Sequence, residues 1–142
     1  MAARVNQSLR IQADVGQLAV ARHFIEQVSA NLGLPSTVSD PLILAADESL
    51  SNIIIHGYRG RPGVIDIEFE QAPGTVLVHL RDQAPLFDPT RLPNPDVTLP
   101  LHERPVGGMG VYLARRSVDN IAYEPLAGGG NHLTLTKKIT AA

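Results

Sequence analysis

The stretch Leu42–Tyr58, LILAADESLSNIIIHGY, constrains this chain more than any other. Its apolar residues recur at helical intervals, and Glu48 and Asn52, four residues apart, rise from the same face with His56 a further turn on. A helix that buries Leu44, Ala45, Leu50, Ile53 and Ile54 carries a carboxylate and a carboxamide inward only where each finds a partner. An unpaired buried polar group costs about 1–3 kcal/mol. A ligand or a metal is one such partner. The alternative is that Glu48 and Asn52 lie on the solvated face, as charged side chains mostly do.

Composition narrows the field around that helix. With 142 residues, 44% hydrophobic and 18% charged, the chain is expected to form one domain, residues 1–142, around a single core. A net charge of −2 gives no electrostatic basis for direct contact with nucleic acid or an anionic membrane surface. Aromatic residues make up only 4%, too few for a base-stacking platform. The absence of cysteine excludes disulfides and thiolate metal sites. No apolar signal region follows MAARVNQSLR and no run reaches the length of a membrane span, so a soluble, cytoplasmic protein is expected.

Arg4–Ala13 alternates weakly and reads as a half-buried strand. Asp14 and Gln17 have capping-box spacing, and Leu18, Ala21, Ile25, Val28 and Leu32 follow at helical intervals until Gly33 and Pro35. The next helix is expected to start near Ser39–Asp40–Pro41, with Asp as cap and Pro in the first turn, and to stop at Gly57 or Gly60. Val64–Glu70 and Thr75–Arg81 alternate with period two across Gln71-Ala-Pro-Gly74, which predicts an antiparallel hairpin. Ile121–Glu124 and Asn131–Lys138, joined through Gly128-Gly129-Gly130, predict a second.

Between the hairpins, residues 83–107 are rich in proline and have no periodicity, which is long for a connection inside a compact domain and reads as a lid. Gly107-Gly108-Met109-Gly110 then runs straight into helical spacing at Val111, Leu113, Ala114 and Val118. Glycines at a helix N-terminus let phosphate oxygens approach unpaired backbone N–H groups. A flexible hinge is the other reading of the same cluster. Neither the dinucleotide fingerprint nor the P-loop pattern is present.

These boxes fall in an order that resembles the GHKL (Bergerat-fold) ATPases. The shared features are E-x-x-x-N-x-x-x-H-G in a helix, an Asp at a strand end before a long lid, GGMG opening a helix, and a final G-N-x-L-T-L-T-K strand. Within that superfamily the chain is similar to the RsbW-type anti-sigma factor serine-protein kinases, from about Leu9 to Ile139. The resemblance implies a two-layer α/β (α+β) sandwich with helices on one face of a mixed, mostly antiparallel sheet, and ATP or ADP held between helices and lid.

By the same resemblance, Glu48 would be the general base and Asn52 would coordinate Mg²⁺. Asp82 would accept a hydrogen bond from the adenine amino group, and Gly108 and Gly110 would present backbone N–H groups to the phosphates. Arg104 would be a lid cation for the γ-phosphate or a solvated loop residue, and His56 a structural hydrogen-bonding group. Two positions depart from the superfamily. Asp82-Gln83-Ala84-Pro85 replaces the usual D-x-G-x-G, which sets a methyl group against the base. The customary last-strand threonine falls on Asn131, whose amide, or the hydroxyl of Thr134, would hold adenine instead. The implied function is an ATP-dependent serine-protein kinase that phosphorylates a STAS-type anti-anti-sigma factor, inhibits a sigma factor and forms a homodimer. The alternatives are a nucleotide-binding partner-switch module without kinase activity and a detached histidine-kinase catalytic domain.

Overall fold

The computed structural model describes residues 5–93, 98–100, 102 and 109–139. Five strands form one sheet: β1 Val5–Gln12, β2 Val64–Ala72, β3 Thr75–Asp82, β4 Asn120–Pro125 and β5 Asn131–Lys138. Their order is β1-β2-β3-β5-β4, and each pairing is antiparallel, so the parallel component expected from the resemblance is missing from the described sheet. Three helices, α1 Leu18–Asn31, α2 Ser36–Asn52 and α3 Met109–Ser117, accompany it.

Period-two alternation decides which way the sheet faces. Ile65, Ile67 and Phe69 of β2, Val76, Val78 and Leu80 of β3, and Leu133 and Leu135 of β5 are buried in one core with Ile25, Val28, Leu42 and Leu50 of the helices. Intervening residues point to the far face and, apart from Leu77, are polar. There Arg81 pairs with Glu68 at 2.9 Å, and His79 lies 2.9 Å from both Glu70 and His132. The same register puts Asp82 and Asn131, opposite each other on β3 and β5, on the helix side.

Asp14 accepts from the Gly16 N–H at 2.9 Å, capping a short 3₁₀ turn over Val15–Gln17 that leads into α1. The start of α2 departs from expectation. It begins at Ser36, after Pro35 in an extended conformation, and contains Pro41 in its interior. Pro41 removes one helical hydrogen bond. Burial outweighs that loss, because Val38 and Leu42 have no exposed surface and lie on one face of an unbroken helix. Leu44, expected inside, is 42% exposed, and Leu42 occupies the core position.

Beyond Asn52 the helix widens into a π-helical segment, Ile53–Tyr58, which Arg59 and Gly60 end with φ values of 54° and 82°. The widened turn breaks the regular four-residue spacing, so His56 is exposed and does not continue the Glu48–Asn52 line. Gly63 has no alternative residue here, since a Cβ would collide with the Tyr58 ring. No helix among the described residues is long and apolar enough to cross a membrane.

Candidate nucleotide-binding site

A cleft runs between α2, α3 and the β3–β5 end of the sheet. It encloses about 600 Å³, open solvent at its mouth included, and its lining is mostly apolar. Asn52, Asp82 and Asn131 line it together with Ala84, Phe87, Val111, Ala114, Arg115 and Tyr123. Residues separated by as much as 79 positions, Asn52 to Asn131, thus meet in one concavity, the usual form of a small-molecule site.

At one end Asp82 closes β3 and is 3% exposed. Burial pushes its carboxyl above the usual carboxylate range, while hydrogen bonds from Asn131 and from the Ala84 N–H act in the opposite direction. Both bonds go to Oδ1, at 2.9 Å each. Asp82 Oδ2 has no hydrogen bond among the described residues, which leaves an acceptor in the cleft. Ala84 follows, and its methyl lies 3.2 Å from the point a Cβ on Gly57 would occupy. The missing side chain of Gly57 therefore houses the methyl that replaces the superfamily glycine.

Tyr58 ties this end to α2. Its hydroxyl donates to the Val64 carbonyl at 2.6 Å and accepts from the Gln83 N–H at 2.8 Å. Burial is the main cause that raises its pKa. No periodicity in the sequence marks Tyr58, because its partners are set by the π-helical segment and the hairpin that follows. The glycine spacing around it, Gly57 and Gly63, was the one available sign.

At the other end Gly110, in the first turn of α3, faces the α2 pair. A Cβ on Gly110 would lie 2.8 Å from Glu48 Oε2, and 3.5 and 3.6 Å from Asn52 Nδ2 and Oδ1. The structure thus brings together Glu48, Asn52 and Gly110, with Asp82 and Asn131 farther along the cleft. Glu48 and Asn52 are half-buried and make no hydrogen bond among the described residues. Arg104 and Gly108, and residues 94–97, 101 and 103–107 of the expected lid, lie outside the described residues. Of the described lid root, Asp88 caps a 3₁₀ turn over Pro89–Arg91, and Arg115 of α3 donates to the carbonyls of Pro89 and Thr90 at 3.0 and 2.6 Å.

One expectation about the base is corrected here. Thr134 belongs to the far face of the sheet, where its hydroxyl lies 3.3 Å from His79 and 3.2 Å from His132. Alternation along β5 makes this unavoidable once Leu133 and Leu135 face the core. Asn131 does reach the cleft, but its amide is already engaged by protein groups on both ends.

A sheet covered by helices on one side, with a polar-ended cleft between them, makes this a two-layer sandwich with a small-molecule cleft. The chain belongs to the histidine kinase-like ATPase domain family, whose pattern matches residues 11–137. It is an RsbW-like member. It is 31% identical over 117 residues to the serine/threonine-protein kinase BtrW of Bordetella bronchiseptica, covering 82% of each chain. It is 25% identical to the serine-protein kinase RsbW of Bacillus thuringiensis, over 80% of this chain and 73% of the relative. Among solved structures, that of the RsbU and RsbW domains of Rv1364c from Mycobacterium tuberculosis superposes with a TM-score of 0.68 at 19% identity. The match covers 95% of this chain and about a third (32%) of the other, and concerns the fold alone.

Proposed function

We propose that the chain, acting as one ATPase domain over residues 1–142 with a lid across 83–107, is an ATP-dependent serine-protein kinase. Its phosphoacceptor is an anti-anti-sigma protein, and it binds and inhibits a sigma factor. The observation that carries this reading is the juxtaposition at Gly110, where the start of a helix lacks a side chain directly against Glu48 Oε2 and Asn52. The N-terminus of a helix favours an anion, and a carboxylate beside it is placed to take a proton. The relatives' names, serine- and serine/threonine-protein kinase, support the same chemistry.

At the base end, Asp82 Oδ2 accepts from the adenine amino group. At the phosphate end, Gly110, with Gly108, offers backbone N–H groups, and Arg104 adds positive charge from the lid. Glu48 removes the proton of the acceptor serine hydroxyl as its oxygen bonds to the γ-phosphorus and the bond from that phosphorus to the β–γ bridging oxygen breaks, releasing ADP. The donor set suits Mg²⁺, because the space at Gly110 leaves the Asn52 carboxamide oxygen accessible and no cluster of three His, Asp or Glu residues competes among the described residues. Mg²⁺ commonly takes one or two protein oxygens and completes its shell with phosphate and water. When bound it would neutralise phosphate charge. Homodimer formation and a choice of partner according to ADP or ATP complete the proposal.

The test measures transfer from ATP to the serine of a STAS-type protein alongside calorimetric ATP binding. Glu48→Gln is expected to slow transfer about 10²–10⁴-fold with ATP affinity kept. Asn52→Ala is expected to abolish the Mg²⁺ dependence of binding. An unchanged transfer rate in Glu48→Gln sinks the mechanism. Tight ATP binding without transfer by the wild type would leave a nucleotide-dependent binding module.

A further inference from the structure

Asn131 has no hydrogen-bonding capacity left for a ligand. Its Nδ2 donates to Asp82 Oδ1 at 2.9 Å, to the Pro85 carbonyl at 3.1 Å and to the Ala84 carbonyl at 3.3 Å. Its Oδ1 accepts from the Tyr123 hydroxyl at 2.6 Å and the Phe87 N–H at 3.0 Å. An amide has two N–H donors and two acceptor lone pairs, so three acceptors share the donors and two donors fill the oxygen. The surroundings also fix which end is nitrogen, since only carbonyl and carboxylate oxygens flank it. At 7% exposure the group does not exchange these partners for water.

We infer that Asn131 is a positioning residue for nucleotide recognition: it aims the Asp82 carboxylate and clamps residues 84–87, the root of the lid, without touching the base. The inference rests on the nucleotide reading proposed above. Its geometry is set by the chain itself. Asp82 and Asn131 are register partners at the β3–β5 end, and Gly130, at φ 102°, lets β5 begin there because any Cβ would strike the Asp82 carbonyl oxygen. With Oδ1 held by Asn131 and Ala84, the lone pairs of Asp82 Oδ2 are left for the adenine amino group. One amide thereby couples the strand end, the lid root and, through Tyr123, β4. A threonine at this position has one donor and cannot make all of these bonds.

A purely structural tie and a positioning role differ in what they do to the charge on Asp82. The Asn131 N–H favours the ionised carboxylate against burial, so its removal raises the pH at which Asp82 loses its charge. Among the described residues, Tyr58 of the π-helical segment, Tyr123 on β4, Asp88 in the lid root, Arg115 on α3 and Glu48 on α2 are the ionisable groups around the cleft, and all remain in Asn131 variants.

The experiment follows the Asp82 carboxyl carbon by NMR through a pH titration of nucleotide-free wild type, Asn131→Ala and Asn131→Thr, and titrates each with ATP at several pH values. In Asn131→Ala the Asp82 midpoint should move up, ATP binding should weaken about 10- to 100-fold, and its acid limit should follow the midpoint. Asn131→Thr, keeping one donor, should restore the midpoint more than the affinity. An unmoved midpoint in folded Asn131→Ala overturns the inference, as does a raised midpoint with wild-type ATP affinity. Failure of the wild type to bind ATP would instead overturn the nucleotide reading, and the titration of Asp82 would still show whether Asn131 sets its charge.

Discussion

The two ends of the cleft are built on opposite plans. At the Asp82 end, the hydrogen-bonding groups of Asn131, Tyr58 and Tyr123 are engaged with protein, and one carboxylate oxygen remains. At the Gly110 end, Glu48 and Asn52 make no hydrogen bond among the described residues and face a space that a methyl group would fill. The first end is pre-organised, so a ligand donor placed there would meet a fixed acceptor with little ordering needed on binding. The second holds half-buried polar groups whose hydrogen-bonding capacity is not taken up by protein among the described residues. Such a division suits an enzyme that anchors a substrate at one point and lets charge rearrange at another, since rate depends on contacts strengthened in the transition state.

Asp82→Asn should disturb the pre-organised end most severely. The asparagine Oδ1 can still accept from the Ala84 and Asn131 N–H groups, but its Nδ2 then faces the adenine amino group, donor against donor. ATP affinity should fall about 10- to 100-fold, as for loss of a charged hydrogen bond, and GTP, whose base offers an acceptor there, should lose less. Thermal stability should hold or rise, because burial disfavours the charge that the substitution removes. Calorimetric titration with both nucleotides and a melting curve check this together. A destabilised variant with unchanged ATP affinity would make Asp82 structural.

Gly110→Ala probes the other end with a smaller effect. The new methyl comes within 2.8 Å of Glu48 Oε2, the tip of a flexible side chain, so the carboxylate must move. Transfer should slow about tenfold through misplacement of the base, with ATP affinity changed less. The helix should gain about 0.5–1 kcal/mol from replacing glycine within it. Stability up and kcat down is the expected signature. Equal transfer rates would mean that Glu48 is not held at the reacting atoms by this contact.

These contrasts were only partly legible in the sequence. Both hairpins and α1 follow from local periodicity, which reports burial directly, and the Glu48–Asn52 pair follows from helix geometry. The start of α2 escapes local reading because Pro41 signals a first turn, while the burial of Val38 and Leu42 is decided by the sheet beneath. Four-residue spacing continues the polar line to His56 only along a regular helix, and the π-helical segment shifts it outward. Asn131 and Thr134 could not be told apart as partners for the base until the strand phase was fixed by Leu133 and Leu135. The saturation of Asn131 depends on Ala84, Pro85, Phe87 and Tyr123, whose meeting no spacing encodes.

A milder change lies on the far face of the same strands, where a substitution leaves both ends of the cleft alone. His132 lies 2.9 Å from His79 and 3.0 Å from Glu124, with Thr134 beside it, and Arg81 and Glu70 share the face. Burial lowers its pKa from the ordinary 6.5, with Arg81 and His79 adding to that and the Glu124 hydrogen bond opposing it. The unfolded chain therefore binds a proton more readily than the folded one between the two pKa values. The resulting stability is full above the unfolded pKa of 6.5 and is lost as pH falls through it toward the folded value. Melting temperature should drop by about a few degrees at most between pH 7.5 and 5.5, and His132→Gln should flatten that slope with ATP affinity at pH 7.5 unchanged. An identical slope in the variant would assign the pH dependence to other groups. A change in ATP affinity would show that the far face is coupled to the Asp82 end through β5, where His132 adjoins Asn131.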